Sequence, residues 1–172
     1  MNNIYLIGMM GSGKTSTGKA LARMLRAQFV DLDDALMRYF GKTITQIFEE
    51  DGEAAFRHVE SEQLKFAAHK HHHVVATGGG VVIQPQNIQW MKTTGTVIYL
   101  KTDLKHLWKR VQNSKDRPLL KVVSAEERLN EIHHGRTSLY EQTADFTVLT
   151  DAKKPEAVAE EIFKNCLGKK TR

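Results

Sequence analysis

The sequence predicts an α/β fold, a parallel sheet covered by helices on both faces in three layers. Three observations predict it. Apolar strand-like runs alternate with segments of helical spacing. A glycine-rich loop joins the first such strand to the first helix. Each chemically loaded segment follows a strand: the loop after the first, acids ending the second, three glycines after the third. In open parallel sheets ligands bind beyond the carboxyl ends of the strands.

The elements follow in order. Asn3 to Gly8 reads as a buried strand, and Lys14 to Ala27 carries Ala20, Leu21, Met24 and Leu25 at helical spacing. Gln28 to Asp33 is a second short strand, and Asp34 to Phe40 is helical up to Gly41. Thr43 to Glu50 and Gly52 to Lys70 are two helices broken near Asp51-Gly52. His73 to Thr77 is a third strand, halted by Gly78-Gly79-Gly80. No regular element is assigned between Gly80 and Thr96. Thr96 to Lys101 is a fourth strand, and Asp103 caps a helix through Val111. Ser124 with Glu127 reads as a capping box opening the next helix. Phe146 to Thr150 is a fifth strand. Pro155 opens a last helix with Val158, Ile162 and Cys166 on one face.

The 172 residues suit one domain, 1–172, with no repeat and no linker. No run approaches the ~18 apolar residues of a membrane span. The N-terminal residues lack the charged and apolar regions of a signal peptide, so none is expected. The single cysteine, Cys166, excludes an internal disulfide and fits a reducing compartment. Its position in a helical pattern reads as a small buried apolar residue. The net charge of +5 suits either nucleic acid or a site for several phosphate and carboxylate charges. Basic residues are spread along the chain, and only the tail Lys169-Lys170-Thr171-Arg172 is concentrated.

Gly8-Met9-Met10-Gly11-Ser12-Gly13-Lys14-Thr15 fits the G-x-x-x-x-G-K-[ST] pattern in full, between a strand and a helix. Its glycines let backbone N–H groups turn inward, and the following helix directs its positive end at phosphates. Lys14 can neutralise β- and γ-phosphates, and the Thr15 hydroxyl can bind Mg2+. The loop implies a nucleoside triphosphate and is silent on what receives the phosphoryl group.

Residues two apart on a strand share a face, so Asp31 and Asp33 can both enter the cleft. One can steady magnesium, directly or through water. The other can orient an acceptor hydroxyl or take its proton. The alternative is that these acids cap the next helix, a job that Asp34 or Asp33 itself can also do. The third strand ends without an acid, which makes Asp31 the best available partner for the metal.

Arg57 and Arg136 can each grip a carboxylate through two parallel hydrogen bonds. Arg57 can equally form a surface ion pair. The triple glycine suits main chain that touches a ligand, or a tight turn. Asn113 to Val123 combines turn chemistry with basic charge between two helices, where a lid would lie. Arg117 within it can stabilise transition-state charge, and lid closure excludes competing water.

These segments together resemble the shikimate kinases over almost the whole chain. The carriers are the phosphate loop with Met10, Asp31-x-Asp33, Gly52-Glu53-x-x-Phe56-Arg57, the triple glycine, Arg117-Pro118-Leu119-Leu120 and Arg136-x-x-Leu139-Tyr140. The resemblance implies a five-stranded parallel sheet of the P-loop, nucleoside-monophosphate-kinase type. A substrate-binding helical segment (about 33–61) and a lid (about 112–124) would belong to it. It implies a transferase that uses ATP with Mg2+ to phosphorylate the 3-hydroxyl of shikimate, towards chorismate and aromatic amino acids; a cytoplasmic setting and a monomer are expected beside it. Neither nucleic acid nor membrane is implied as a partner.

Carried over by position, Asp33 would hold the shikimate hydroxyls and assist proton removal. Arg57 and Arg136 would bind the carboxylate, Gly78 and Gly79 would contact the substrate, and Phe48 and Phe56 would wall its ring. Thr15 and Asp31 would serve magnesium. Gly11, Ser12, Gly13, Lys14, Thr15 and Ser16 would cradle the phosphates with Arg117, and Lys14, Asp33 and Arg117 would carry catalysis. Arg110, Lys153 and Pro155 would border adenine. One departure is Ser138, where members often carry proline. The run His69-Lys70-His71-His72-His73 has no implied role and reads as a solvated turn, with adventitious metal binding as the alternative.

Two rival readings stay open. A gluconate kinase shares the fold and an acceptor with carboxylate and hydroxyls. A non-enzymatic ATP- or nucleic-acid-binding module draws on the charge, yet no basic-aromatic RNA motif or recognition helix stands out.

Overall fold

The computed structural model describes residues 2–112, 120 and 124–167. The strands β1 (Asn3–Ile7), β2 (Gln28–Asp31), β3 (His73–Ala76), β4 (Gly95–Lys101) and β5 (Phe146–Leu149) form one sheet in the order β2-β3-β1-β4-β5. Every adjacent pair is parallel. The helices are α1 (Lys14–Leu25), α2 (Leu32–Phe40), α3 (Ile44–Gln46, continued as a wider turn over Ile47–Asp51) and α4 (Gly52–Ala68). After them come α5 (Pro85–Thr94), α6 (Leu104–Val111), α7 (Ala125–Thr143) and α8 (Pro155–Glu161, continued over Ile162–Leu167).

Alternation along each strand sorts the core into two layers. Ile4, Leu6, Val74, Ile98, Leu100 and Val148 face α1 and α8 through Leu21, Val158, Ile162 and Cys166. Cys166 is buried there, as its helical position suggests. Tyr5, Ile7, Val75, Val97 and Tyr99 face the other side, against Leu64, Met91, Leu107, Leu129 and Tyr140. All five residues of β1 are buried, as a central strand covered on both faces requires. A third, smaller cluster of Leu36, Ile47, Phe56 and Val59 holds α2, α3 and α4 together beside the sheet. That gives the segment spanning 33–61 an apolar core of its own.

Three sequence-based expectations need correction. Strand β2 ends at Asp31, not Asp33, because the Asp31 carboxylate accepts from the Asp33 N–H at 3.0 Å and opens α2 there. Asp33 therefore stands in a first helical turn. Helix α5 occupies residues left unassigned by sequence pattern. It buries only Asn87 and Met91, so its apolar period is weak. A local bond from Asn87 Nδ2 to the Val81 carbonyl at 3.1 Å and a long-range one between Tyr5 Oη and Thr94 Oγ1 at 2.7 Å hold it instead. At α7, Ser124 makes no capping bond: its ψ of 72° falls short of the extended value from which a hydroxyl reaches the next turn. The capping box found is Thr43 with Gln46, opening α3. Asp103 caps α6 as expected, accepting from the Lys105 N–H at 2.8 Å.

The expected lid residues Asn113 to Leu119 and Lys121 to Val123, Arg117 among them, lie outside the described residues, as does the basic tail from Lys169. Leu120 is buried with Val111 and Leu129 in the second core layer. Among the described residues, no helix is long and apolar enough to cross a membrane.

Candidate active site

The loops after β1 and β3 and the start of α2 meet at the carboxyl end of the sheet. A cavity of about 450 Å³ opens there. It is lined by Met10 to Thr17, Asp31, Asp33, Thr77 and Gly79, with Arg110, Thr150, Lys153, Pro155 and Val158 on the other side. The volume falls within the range of small-ligand sites.

The phosphate loop is built as its pattern dictates. Gly11 and Gly13 take φ of 80° and 91°, a region that side chains with a Cβ avoid, and Gly13 caps α1. The N-terminus of α1 is thereby aimed into the cavity. Lys14 is nearly buried, and its Nζ donates to the carbonyls of Gly8 and Met9 at 2.9 and 2.8 Å. Thr15 Oγ1 donates to Asp31 Oδ2 at 2.6 Å. Asp31 thus caps α2 with one oxygen, while the other accepts from Thr15. A hydroxyl and a carboxylate are hard oxygen donors, and side by side beneath the loop they fit magnesium.

The far wall holds the residues expected for adenine. Arg110 donates to the Gly11 carbonyl at 3.0 Å and the Thr150 carbonyl at 3.2 Å, tying the phosphate loop to the β5–α8 connection. Lys153 pairs with Glu161 at 2.6 Å beside Pro155.

The acceptor side is organised by the triple glycine. A Cβ built on Gly78 would lie 2.3 Å from Glu60 Oε1 and 3.2 Å from Asp33 Oδ1. One built on Gly80 would lie 2.3 Å from Arg57 Nη1. One on Gly79 would lie 3.5 Å from the Met10 nitrogen and 3.8 Å from Arg136 Nη1. Asp33, Arg57 and Arg136, from three separate helices, therefore gather around one turn that rests on the phosphate loop. A side chain at 78 or 80 would force Glu60 or Arg57 to shift, because their ends crowd the backbone there. Arg57, Arg136, Gly78, Phe48 and Phe56 do not themselves line the cavity described above.

Arg57 is not a surface ion pair. It is 9% exposed, donates from Nη1 to Glu60 at 2.8 Å, and reaches Glu53 from Nη2 at 3.1 Å. Its guanidinium lies over the Phe56 ring, 5.1 Å from the centroid. Phe56 in turn packs on Phe48 with centroids 4.7 Å apart. Phe56 is buried in the small third cluster, and Phe48 is the more open of the two.

Glu60 escaped sequence inspection. Its side chain is fully buried, and Oε1 has no hydrogen-bond partner. Burial pushes its carboxyl above the ordinary range, against the pull of Arg57; Asp33 adds to the push, and Arg136 opposes it. The available signal was its i,i+3 spacing from Arg57 on a helix, which predicts pairing but not burial. Tyr140 carries a second missed contact: its hydroxyl donates to the Gly79 carbonyl. Thr77 and Thr150 also border the cavity without a motif to mark them.

The histidine run forms a turn ahead of β3. The His69 ring faces the Lys65 carbonyl at 2.7 Å, and the His72 ring faces the Arg26 carbonyl at 3.1 Å. Among the described residues, no group of three or more His, Cys, Asp or Glu side chains is arranged to hold a metal ion.

A family model described as shikimate kinase matches residues 10–167. The chain belongs to the shikimate kinase family. Among relatives, it is 42% identical over 164 residues to a shikimate kinase of Thermodesulfovibrio yellowstonii, covering 95% of this chain and 94% of that one. It is 38% identical to a shikimate kinase of Caldanaerobacter subterraneus over 172 residues, all of both chains. Among solved structures, a shikimate kinase from Acinetobacter baumannii in complex with shikimate superposes with a TM-score of 0.97. That pair shares 37% identity and covers 100% of this chain and 96% of the other. The five-stranded parallel sheet with helices on both faces is thus the fold of the family, as the sequence predicted.

Proposed function

We propose that this chain transfers the γ-phosphoryl of ATP to the 3-hydroxyl of shikimate, giving shikimate 3-phosphate and ADP. One observation carries the proposal: the Asp33 carboxylate and the Arg57 and Arg136 guanidinium groups meet around a glycine turn packed on the phosphate loop. An acceptor with a carboxylate at one end and hydroxyls at the other is the ligand such a set suits.

In this reading Arg57 and Arg136 take the shikimate carboxylate. A guanidinium offers five N–H groups, so Arg57 can hold a ligand oxygen while Glu60 keeps it oriented. Asp33 orients the 3-hydroxyl and receives its proton as the oxygen bonds to the γ-phosphorus and the bond to ADP breaks. Lys14 neutralises the phosphates as that charge moves. Thr15 and Asp31 would hold Mg2+, which when bound neutralises phosphate charge. Arg110, Lys153 and Pro155 seat the adenine. The single buried cysteine fits a reducing, cytoplasmic setting. A monomer is part of the same reading.

The test is a panel of acceptors with ATP and Mg2+, read by ADP release. Shikimate should support turnover and gluconate should not. Turnover of gluconate without shikimate would reassign the acceptor, and salt-sensitive nucleic-acid binding with no turnover on any acceptor would favour a non-enzymatic module.

A further inference from the structure

We infer that Tyr140 is a positioning residue that sets the acceptor turn against the phosphate loop. The inference rests on the acceptor reading above and adds a residue to it. Tyr140 lies one turn after Arg136 on the same face of α7. It is fully buried, and its ring stacks on Tyr99 of β4 with centroids 5.1 Å apart. Both χ angles are therefore confined by packing.

Its hydroxyl stands at the junction of donor and acceptor machinery. It donates to the Gly79 carbonyl and lies 3.6 Å from the Met9 sulfur. The neighbouring carbonyls are held locally: Gly78 accepts from the Val81 N–H at 3.3 Å, and Gly80 from the Ile83 N–H at 3.0 Å. The Gly79 carbonyl is held from a different element, by a side chain whose helix also carries Arg136. Burial pushes the phenol well above its ordinary range, so it remains a donor at any working pH. Because a carbonyl and the next N–H share one rigid plane, holding the Gly79 oxygen fixes the plane between Gly79 and Gly80. It also fixes how the turn rests on Met10. Arg136 and the glycine backbone are thereby set by one anchored helix.

The consequence is specific to acceptor alignment. Loss of the hydroxyl leaves the phosphate loop and the stacking in place, yet frees the turn to tilt and removes the contact that the hydroxyl makes with the Arg136 side chain. A small tilt of an acceptor relative to the γ-phosphorus is costly, since in-line transfer needs close orientation.

Tyr140→Phe tests this, with Tyr99→Phe as the comparison. Tyr140→Phe should lower kcat/KM for shikimate about tenfold, while KM for ATP stays within about twofold, in line with the loss of one positioning hydrogen bond. Tyr99→Phe should leave both constants unchanged. Two results overturn the inference: shikimate kinetics in Tyr140→Phe equal to wild type, or parallel losses of ATP affinity and thermal stability that mark a general prop. A wild-type chain inactive on shikimate counts against the acceptor reading instead. The same Tyr140→Phe comparison is then made on whichever acceptor the panel shows to be turned over.

Discussion

Glu60 Oε2 accepts from Arg57 Nη1 at 2.8 Å with the Glu60 side chain wholly withdrawn from water. The pair sits directly against Gly78 and Gly80, so the acceptor turn is shaped by a buried ion pair and not by an apolar wall. Such pairs add little net stability, but breaking one side strands the other charge.

Arg57→Ala should therefore cost about 3 kcal/mol near neutral pH, the penalty of an uncompensated buried carboxylate. The loss should depend on pH with a definite sign. Burial already raises the Glu60 carboxyl, and removing Arg57 takes away the chief opposing influence. A carboxyl whose folded value lies above its unfolded value favours folding below the unfolded value and loses that benefit as pH rises. Urea denaturation should show Arg57→Ala closer to wild type at pH 5 than at pH 8. An equal deficit at both values would mean Glu60 is not stranded.

Gly80→Ala should impair the acceptor side alone. The new Cβ would stand 2.3 Å from Arg57 Nη1, and that guanidinium is pinned by Glu60. Overpacking of this kind costs ~1–3 kcal/mol, so KM for shikimate should rise on the order of tenfold with KM for ATP nearly unchanged. A proportionate rise in both would place the turn in general packing.

Asp31 allows its two roles to be separated. Asparagine caps helices as well as aspartate does, whereas alanine does not. Asp31→Asn should keep the stability of wild type and shift half-saturation by Mg2+ upward. Asp31→Ala should show the same Mg2+ shift and lose about 1 kcal/mol besides. Titration of activity with Mg2+, alongside thermal melts, reads both. An unchanged Mg2+ requirement in both variants would remove Asp31 from the metal site.

What sequence pattern revealed, and what it hid, follows from range. The phosphate loop is local: eight consecutive residues between a strand and a helix carry its whole geometry. The five strands were legible because β1, β3 and β4 are short apolar runs bounded by glycine or charge. Helix α5 was not, since a bond from Asn87 to the preceding turn and a long-range one between Thr94 and Tyr5 stabilise it where amphipathic spacing does not. Arg57 and Arg136 were visible as residues but not as neighbours, because 78 residues of intervening chain must fold before they meet at Gly79 and Gly80. Glu60 was hidden more deeply: a glutamate on a helix reads as solvated until its burial is seen.

The most direct measurement of the central claim is the pair of Michaelis constants of Arg136→Ala. Arg136 approaches Gly79 from α7 and stands away from the nucleotide wall formed by Arg110, Lys153 and Pro155. If it binds the acceptor carboxylate, KM for shikimate should rise on the order of 10- to 100-fold, the worth of a charged hydrogen bond, while KM for ATP stays near its wild-type value. Equal rises in both constants, or an unchanged KM for shikimate, would contradict the account.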